Sequence, residues 1–326
     1  MPTFRSKPST IKVEETNILQ GYKSLSVEMQ GWRSSMEDAS VMGDLDSGTR
    51  YYAVLDGHGG EEVARFAQEH LFVPLRGLSS HPSPEQITEA FILTDLSLRT
   101  HVEALLSCSR NPKKKRSSCF SGQMLEMRRD YPEMSIQEIT GTLIARNAGA
   151  VTSVAFVNGR NLTVATLGDC QAFLVRRTSE GGLQAVDLQS RVHQLSDEGE
   201  SARVRAAGLD VSGEPPRIQG CLAVSRAIGD LRFKSQEQNG VLLPVGRQPV
   251  SVIPEITEYE LTESDEYIFL GCDGIFEVLT PQQIADYLSE APDDLAGLLE
   301  SCIATTATET FGKDNMSAVL AHLRVD

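Results

Sequence analysis

In four places the chain sets an aspartate beside a glycine at the edge of an apolar run: VLDGHGG around Asp56, ATLGDC around Asp169, AVSRAIGD around Asp230 and FLGCDG around Asp273. A strand that ends in a carboxylate delivers a hard oxygen ligand to a fixed place, and several such strands side by side make a site for Mg²⁺ or Mn²⁺. Taken singly, each Asp-Gly pair reads as a turn, because Gly supplies a positive φ and Asp satisfies nearby backbone donors. Together they read differently. Asp56 and Asp273 each follow an apolar run too long to be comfortable at the surface, so each carboxylate must be paired or metal-bound. Glu37, Asp38 and Asp314 raise the acidic groups to a number that can hold two divalent ions, with almost no Lys among them to neutralise the cluster.

Divalent ions at a carboxylate site with open positions lower the pKa of water and clamp a phosphoryl group for in-line attack. Such a site still needs a cation for the non-bridging phosphate oxygens. Arg33 lies four residues before Glu37, and a planar guanidinium binds two such oxygens at once. His58, two residues after Asp56, could protonate a leaving alkoxide, or could simply be a histidine fixed in a Gly-rich turn.

The elements that must position these groups follow from periodicity. Short β-like runs begin with YKSLSVEMQ at Tyr22 and continue with RYYAVLD ending at Asp56, after a polar lead over residues 1–21. In GEEVARFAQEHLFVPL, Val63, Phe66, Ala67, His70 and Leu71 share a helical face, with Glu61 and Glu62 at the end the helix dipole favours. Ser83, Pro84 and Gln86 form a capping box that starts a second helix, and Thr280, Pro281 and Gln283 form another. Asn158-Gly159 between VTSVAFV and RNLTVATL predicts a hairpin whose second strand runs into Asp169. Leu295, Leu298, Leu299, Cys302 and Ile303 mark an amphipathic helix, and MSAVLAHLRV, after Asp314 and Asn315, reads as a final strand. The segment 187–219, with Gly208, Gly213, Pro215 and Pro216, reads as a loop or small flap. Residues 107–140 change character around Lys113, Lys114, Lys115 and Arg116 and read as an insertion, either a solvated loop or an import or docking signal. Strands joined by tight turns favour antiparallel sheets with helices outside them over a doubly wound parallel fold.

At 326 residues the chain is within reach of one large two-sheet domain, expected over 22–326. A formal net charge of -15 argues against a general binder of nucleic acid or anionic membranes. Six cysteines without a C-x-x-C pair point to a reducing compartment rather than a disulfide framework or structural zinc. No stretch has the length and apolarity of a signal core or membrane span, so the expectation is a cytosolic or nuclear protein, with nothing requiring more than a monomer.

GWRSSMEDAS, VLDGHGG, LGDC, LAVSRAIGD, LGCDGIFEVLT and KDNMSAVL, in this order from about residue 22 onward, resemble the motif series of the metal-dependent protein phosphatases, the type 2C serine/threonine family. The resemblance implies an α+β fold: a central antiparallel β-sandwich flanked by helices on both faces. It also implies a binuclear Mg²⁺ or Mn²⁺ centre that activates water for direct attack on phosphoserine and phosphothreonine in protein substrates. Carried over residue by residue, Asp56 would bridge the two ions, Glu37 and the Gly57 carbonyl would bind one, and Asp273 and Asp314 the other. Arg33 would hold the phosphate, His58 would act as general acid, and Asp38 would orient the attacking water. Asp169 with Asp273 would serve a weaker third ion. In Asp230 the resemblance implies a structural hydrogen-bonder rather than a metal ligand, correcting the strand-end argument at that position.

The chain departs from the pattern at Phe276 and Glu277, where the family often has Trp-Asp, which leaves open whether Glu277 reaches a third ion. GAVT at Gly149 to Thr152 carries one residue more than the usual small-residue element, and Ser196 to Gly199 replace a DHKP-like stretch. Arg217, in PPRIQG, matches a flap arginine that touches substrate in the resemblance. Two other readings were open to the residues. Cys170 and Arg176 have the spacing of a cysteine-dependent phosphatase, but the intervening QAFLV reads as a strand rather than a Gly-rich phosphate loop. A non-catalytic member that only binds a partner would be expected to lose ligands, and this chain keeps Arg33, Glu37, Asp56, Asp273 and Asp314.

Overall fold

Two antiparallel sheets stack face to face because the long strands carry apolar residues on both of their faces and must be covered on each. The structure is a computed structural model and describes residues 4–110, 148–188, 192–234, 237–238, 241–304 and 311–324. The basic run Lys113 to Arg116, and the expected insertion beyond its first few residues, lie outside the described residues. The chain begins with β1 (Phe4–Leu19), β2 (Tyr22–Arg33), β3 (Ala39–Asp44) and β4 (Arg50–His58). Helices α1 (Glu62–His70) and α2 (Pro84–Arg110) precede β5 (Gly149–Asn158), β6 (Asn161–Leu167), β7 (Gln171–Arg177) and β8 (Leu183–Asp187). Helix α3 (Glu198–Ala206) leads into five two-residue strands, β9 (Val211–Ser212), β10 (Arg217–Ile218), β11 (Ile228–Gly229), β12 (Glu237–Gln238) and β13 (Val241–Leu242). The remainder is β14 (Glu255–Glu260), β15 (Asp265–Gly271), the single turn α4 (Asp273–Phe276), α5 (Pro281–Glu290), α6 (Leu295–Cys302) and β16 (Met316–His322).

One sheet runs β1-β2-β16-β15-β7-β8 and the other β14-β6-β5-β4-β3, with β11 added against the start of β5. In β4 the alternation is explicit. Tyr52 and Val54 point between the sheets, where they meet Val151, Ala155 and Leu162 and face Ile268, Leu270 and Val319 of the other sheet. Ala53 and Leu55 point the opposite way and pack with Val154 and Phe156 beneath Val63 and Ala67 of α1 and Ile87 and Phe91 of α2. On the far side Ile284, Leu288, Leu298 and Leu299 of α5 and α6 cover the first sheet. This is the α+β sandwich with helices on both faces that the motifs implied.

Local signals mostly translate as expected. Ser83 Oγ accepts from the Gln86 N–H while the Gln86 side chain accepts from the Ser83 N–H, and Thr280 with Gln283 closes the same reciprocal box on α5. The hairpin between β5 and β6 forms one residue later than an Asn-Gly turn would put it. Asn158 is still paired with Asn161, and the two loop residues are Gly159, at φ +57°, and Arg160. Positive φ at the first loop residue alone suits a type II′ turn, with Gly in the place that requires it.

Two expectations are corrected. The polar lead is strand β1, paired along β2 from Leu19↔Tyr22 to Phe4↔Arg33. Its apolar residues gave no burial signal because Ile11 is 82% and Val13 67% exposed, so the backbone ladder holds it rather than a core. The segment 187–219 is more than a flap: it contains α3, whose N-terminal N–H of Glu200 is capped by Asp197. The flap proper is the small β9–β10 hairpin.

Candidate active site

Antiparallel register brings the acidic strand ends together at one end of the sandwich. The end of β2 lies beside the start of β16 (Met29↔Met316), and the end of β15 beside the starts of both β16 and β7 (Gly271↔Ala318 and Gly271↔Gln171). In the second sheet the end of β4 pairs with the start of β5 (His58↔Gly149), which in turn meets the end of β6 (Thr152↔Leu167). Asp56, Asp169, Asp273 and Asp314 are thereby delivered from four separate segments to one cleft of about 840 Å³. Arg33, Gly57 and His58 line the same cleft from β2 and β4, and Glu277 and the flap's Arg217 line it from beyond the sheets.

The loop between β2 and β3 is braced from the far end of the chain. Asn315 donates through Nδ2 to the carbonyls of Gln30 and Ser35, both at 2.9 Å, and accepts from the Glu37 N–H at 2.9 Å. Gly57 lets this loop lie against β4, since a Cβ there would stand 2.1 Å from the Glu37 carbonyl oxygen. Glu37 consequently sits beside Gly57, its carboxylate accepting from Ser35 Oγ at 2.9 Å and from the Gly60 N–H at 3.3 Å. Sequence reasoning passed over Asn315, although it adjoins Asp314 in KDNMSAVL. A side-chain amide that bonds three backbone groups 278 to 285 residues away has no short-range signature.

Electrostatically the cluster is under load. Burial raises the Asp56 carboxyl well above the usual carboxylate range, and Asp38, Asp273, Asp314 and Asp169 push it further. Asp273 is raised the same way, by burial first and then by Asp169, Asp314 and Glu277. Asp169 and Glu277 are also raised, burial leading in both, with His58 relieving the first and Arg33 the second. Burial lifts Asp38 to about 7, against the opposing hydrogen bond from Ser317. Asp38 is 1% exposed, accepts from Ser317 Oγ at 2.8 Å, and lies behind the residues that line the cleft.

Two pairings join the chemistry-bearing side chains directly. Arg33 donates through Nη2 to Asp314 Oδ2, so the arginine expected to hold phosphate is in an ion pair with a carboxylate expected to hold metal. His58 Nε2 lies 2.8 Å from Asp230 Oδ2. Burial disfavours the charged ring, but Asp230 outweighs it and leaves the His58 pKa above its usual 6.5. Arg217 donates to the Cys221 carbonyl at 2.9 Å in the turn that follows β10. Phe276, at the first departure from the motif, lies edge-on to Phe173 and Phe269.

The donor set suits a hard divalent cation: every acidic group is an oxygen donor, and their mutual repulsion is of the kind a bound cation reverses. Among the described residues no group of three or more His, Cys, Asp or Glu side chains is gathered into a metal-holding cluster. The carboxylates instead surround a shared basin, with Asp314 engaged by Arg33 and Asp38 by Ser317.

Known proteins resemble this chain over nearly its whole length. The model of the family described as protein phosphatase 2C matches residues 22–309. A Paramecium tetraurelia protein named probable protein phosphatase 2C 5 is 30% identical, the match covering 98% of this chain and 99% of that protein. Probable protein phosphatase 2C 60 of Arabidopsis thaliana is 29% identical over 99% of this chain and 92% of its own length. Among solved structures, a phosphatase from a pathogenic strain of Toxoplasma gondii superposes with a TM-score of 0.67 at 21% identity, over 97% of this chain and 96% of that one. Serine-threonine phosphatase 2C from Toxoplasma gondii gives 0.62 at 15% identity, over 96% and 99%. At such identities these two structures speak for the fold.

Proposed function

This chain belongs to the protein phosphatase 2C family and is a protein serine/threonine phosphatase, and on that premise we propose that it hydrolyses phosphoserine and phosphothreonine by a two-ion mechanism in this cleft. The carrying observation is the convergence of Asp56, Asp169, Asp273 and Asp314 with Arg33 and His58 on one basin.

Asp56 would bridge two Mg²⁺ or Mn²⁺ ions, with Glu37 and the Gly57 carbonyl on one and Asp273 and Asp314 on the other. Asp169 with Asp273, and Glu277 from the cleft wall, would serve a weaker third. Ions so held supply Lewis acidity toward the phosphoryl group and an acidified water for in-line attack. Arg33 would grip two phosphate oxygens once released from Asp314, and a planar guanidinium suits that exchange of one oxyanion for another. His58 would give a proton to the departing seryl or threonyl oxygen, which is too basic to leave readily without one. Arg217, on the cleft lining, would meet the protein that carries the phosphate. Free Cys170, Cys221, Cys272 and Cys302 support a reducing location, cytosolic or nuclear.

The test is phosphate release from a phosphothreonine peptide after chelation, with Mn²⁺ or Mg²⁺ added back and Asp56→Asn alongside. Metal-dependent release, reduced at least ~10³-fold in the variant, is the expected result. Full activity in chelator would remove the two-ion reading.

A further inference from the structure

His58 and Asp230 are 172 residues apart, and three strands in register bring them together. His58, the last residue of β4, is opposite Gly149 of β5, and Gly149 is opposite Gly229 of β11, so the residue after Gly229 emerges beside the imidazole. Asp230 adopts φ +49°, a left-handed conformation that costs a side-chain-bearing residue free energy but that Asp tolerates better than most. Its main-chain N–H donates to the Ala148 carbonyl at 2.8 Å. Its side chain is wholly buried. Oδ2 is on His58, while Oδ1 has no hydrogen-bond partner among the described residues. A carboxylate buried with so few partners is expensive to keep, which argues for a use beyond stability.

Space for the pair is made by Gly149. A Cβ at that position would stand 2.2 Å from Asp230 Oδ2 and 2.6 Å from His58 Nε2. The His58 side chain is 27% exposed and lines the cleft, whereas the carboxylate behind it has no exposure at all.

We propose that Asp230 is a positioning residue for the hydrolysis: it holds His58 through Nε2, so that Nδ1 is the ring nitrogen that faces the cleft and delivers the proton. This rests on the general-acid reading of His58. In the step, the oxygen of the attacking water bonds phosphorus with a lone pair and sheds a proton to solvent, while the phosphorus–oxygen ester bond breaks with its electron pair going to the seryl or threonyl oxygen. That oxygen takes the proton from Nδ1, and the nitrogen keeps the N–H bonding pair. The ring is left neutral with its remaining hydrogen on Nε2, still donated to Asp230, which is the tautomer that bond favours.

The experiment compares the full-length enzyme with His58→Ala, Asp230→Asn and Gly149→Ala, each shown folded by circular dichroism, on a phosphothreonine peptide and on p-nitrophenyl phosphate. The nitrophenolate leaves without a proton. Asn keeps the shape and tolerates the left-handed backbone, and Gly149→Ala disturbs the pair without changing charge. Asp230→Asn and Gly149→Ala are both expected to lower kcat on the peptide by ~10- to 100-fold, with KM little moved and the loss on the nitrophenyl ester at least tenfold smaller. Nitrogen-15 ring spectra of wild type should show His58 with its hydrogen on Nε2 when neutral, and both variants should lose that signature. If His58→Ala discriminates between the esters and Asp230→Asn loses equally on both, the positioning role is overturned while the general acid stands. Equal losses in His58→Ala would remove the general acid itself. A wild-type ring with its hydrogen on Nδ1 would overturn the orientation whatever the kinetics, including the case in which a variant does not fold.

Discussion

At Asp56 the demands of stability and function oppose each other. Its carboxylate is buried with Asp38, Asp273, Asp314 and Asp169 all acting on it, and without cations such a cluster costs more than its hydrogen bonds return. Asp56→Asn should therefore raise the melting temperature in chelator, by about 1–3 kcal/mol of unfolding free energy, while abolishing turnover. Added Mn²⁺ should stabilise wild type more than the variant, because ligands that bind only the folded state stabilise it by mass action. Thermal unfolding with and without metal checks both statements, and a variant no more stable than wild type in chelator would mean the repulsion is already relieved. Residues of this kind were legible beforehand because their signal is short: an apolar run, then Asp, then Gly. Asp38 was legible as an acid but not as one closed off from the cleft, because the bond from Ser317 that holds it crosses 279 residues.

Helix α3 shows what an element contributes beyond its caps. Glu200 in its first turn accepts from Arg203 Nη1 at 2.7 Å, Arg226 Nη2 at 2.8 Å and Ser225 Oγ at 2.6 Å. Ser225 and Arg226 belong to the AVSRAIGD segment, so this cluster ties the flap region to the strand that carries Asp230. Burial works against the charged carboxylate, yet these partners hold its pKa at about 2, down from 4.5. Because the folded pKa is the lower, the stabilisation is complete above about pH 4.5 and is lost as the pH falls toward 2. A displacement of that size, at about 1.4 kcal/mol per pH unit, is on the order of 3 kcal/mol. Urea unfolding at pH 6 and pH 3 should show Glu200→Gln strongly destabilised at pH 6, with a smaller gap from wild type at pH 3. A gap independent of pH would mean that packing, not charge, accounts for the loss. The helices at Ser83 and Thr280 were readable because a capping box lies within four residues. α3 was not, since its polar sequence with Gly199 resembles a loop and its stabilising contacts come from residues 225 and 226.

Across the whole molecule the sandwich is closed on its faces but not at all of its edges. Among the described residues β1 pairs only with β2 and leaves Ile11, Val13 and Ile18 exposed. Removing residues 1–17 should therefore leave phosphate release largely intact, since β1 comes up to the cleft at Phe4, opposite Arg33, and the rest of its ladder runs away from it, while uncovering the β2 edge and driving self-association. Size-exclusion chromatography with light scattering checks this; a monomeric truncated protein without activity would show instead that β1 holds the site. By itself the sequence determined the kind of chemistry, the acidic ends that supply it, the capped helices and the β5–β6 hairpin, because each is written in the types and spacing of a few neighbouring residues. Only the tertiary structure decided that β1 is a strand, that Asn315 braces Glu37, that Arg33 is paired with Asp314 and that Asp230 stands behind His58. Apart from the β1–β2 ladder, those facts depend on segments brought together from 172 to 285 residues apart, and no local pattern carries a register between segments that meet only when the whole sandwich has closed.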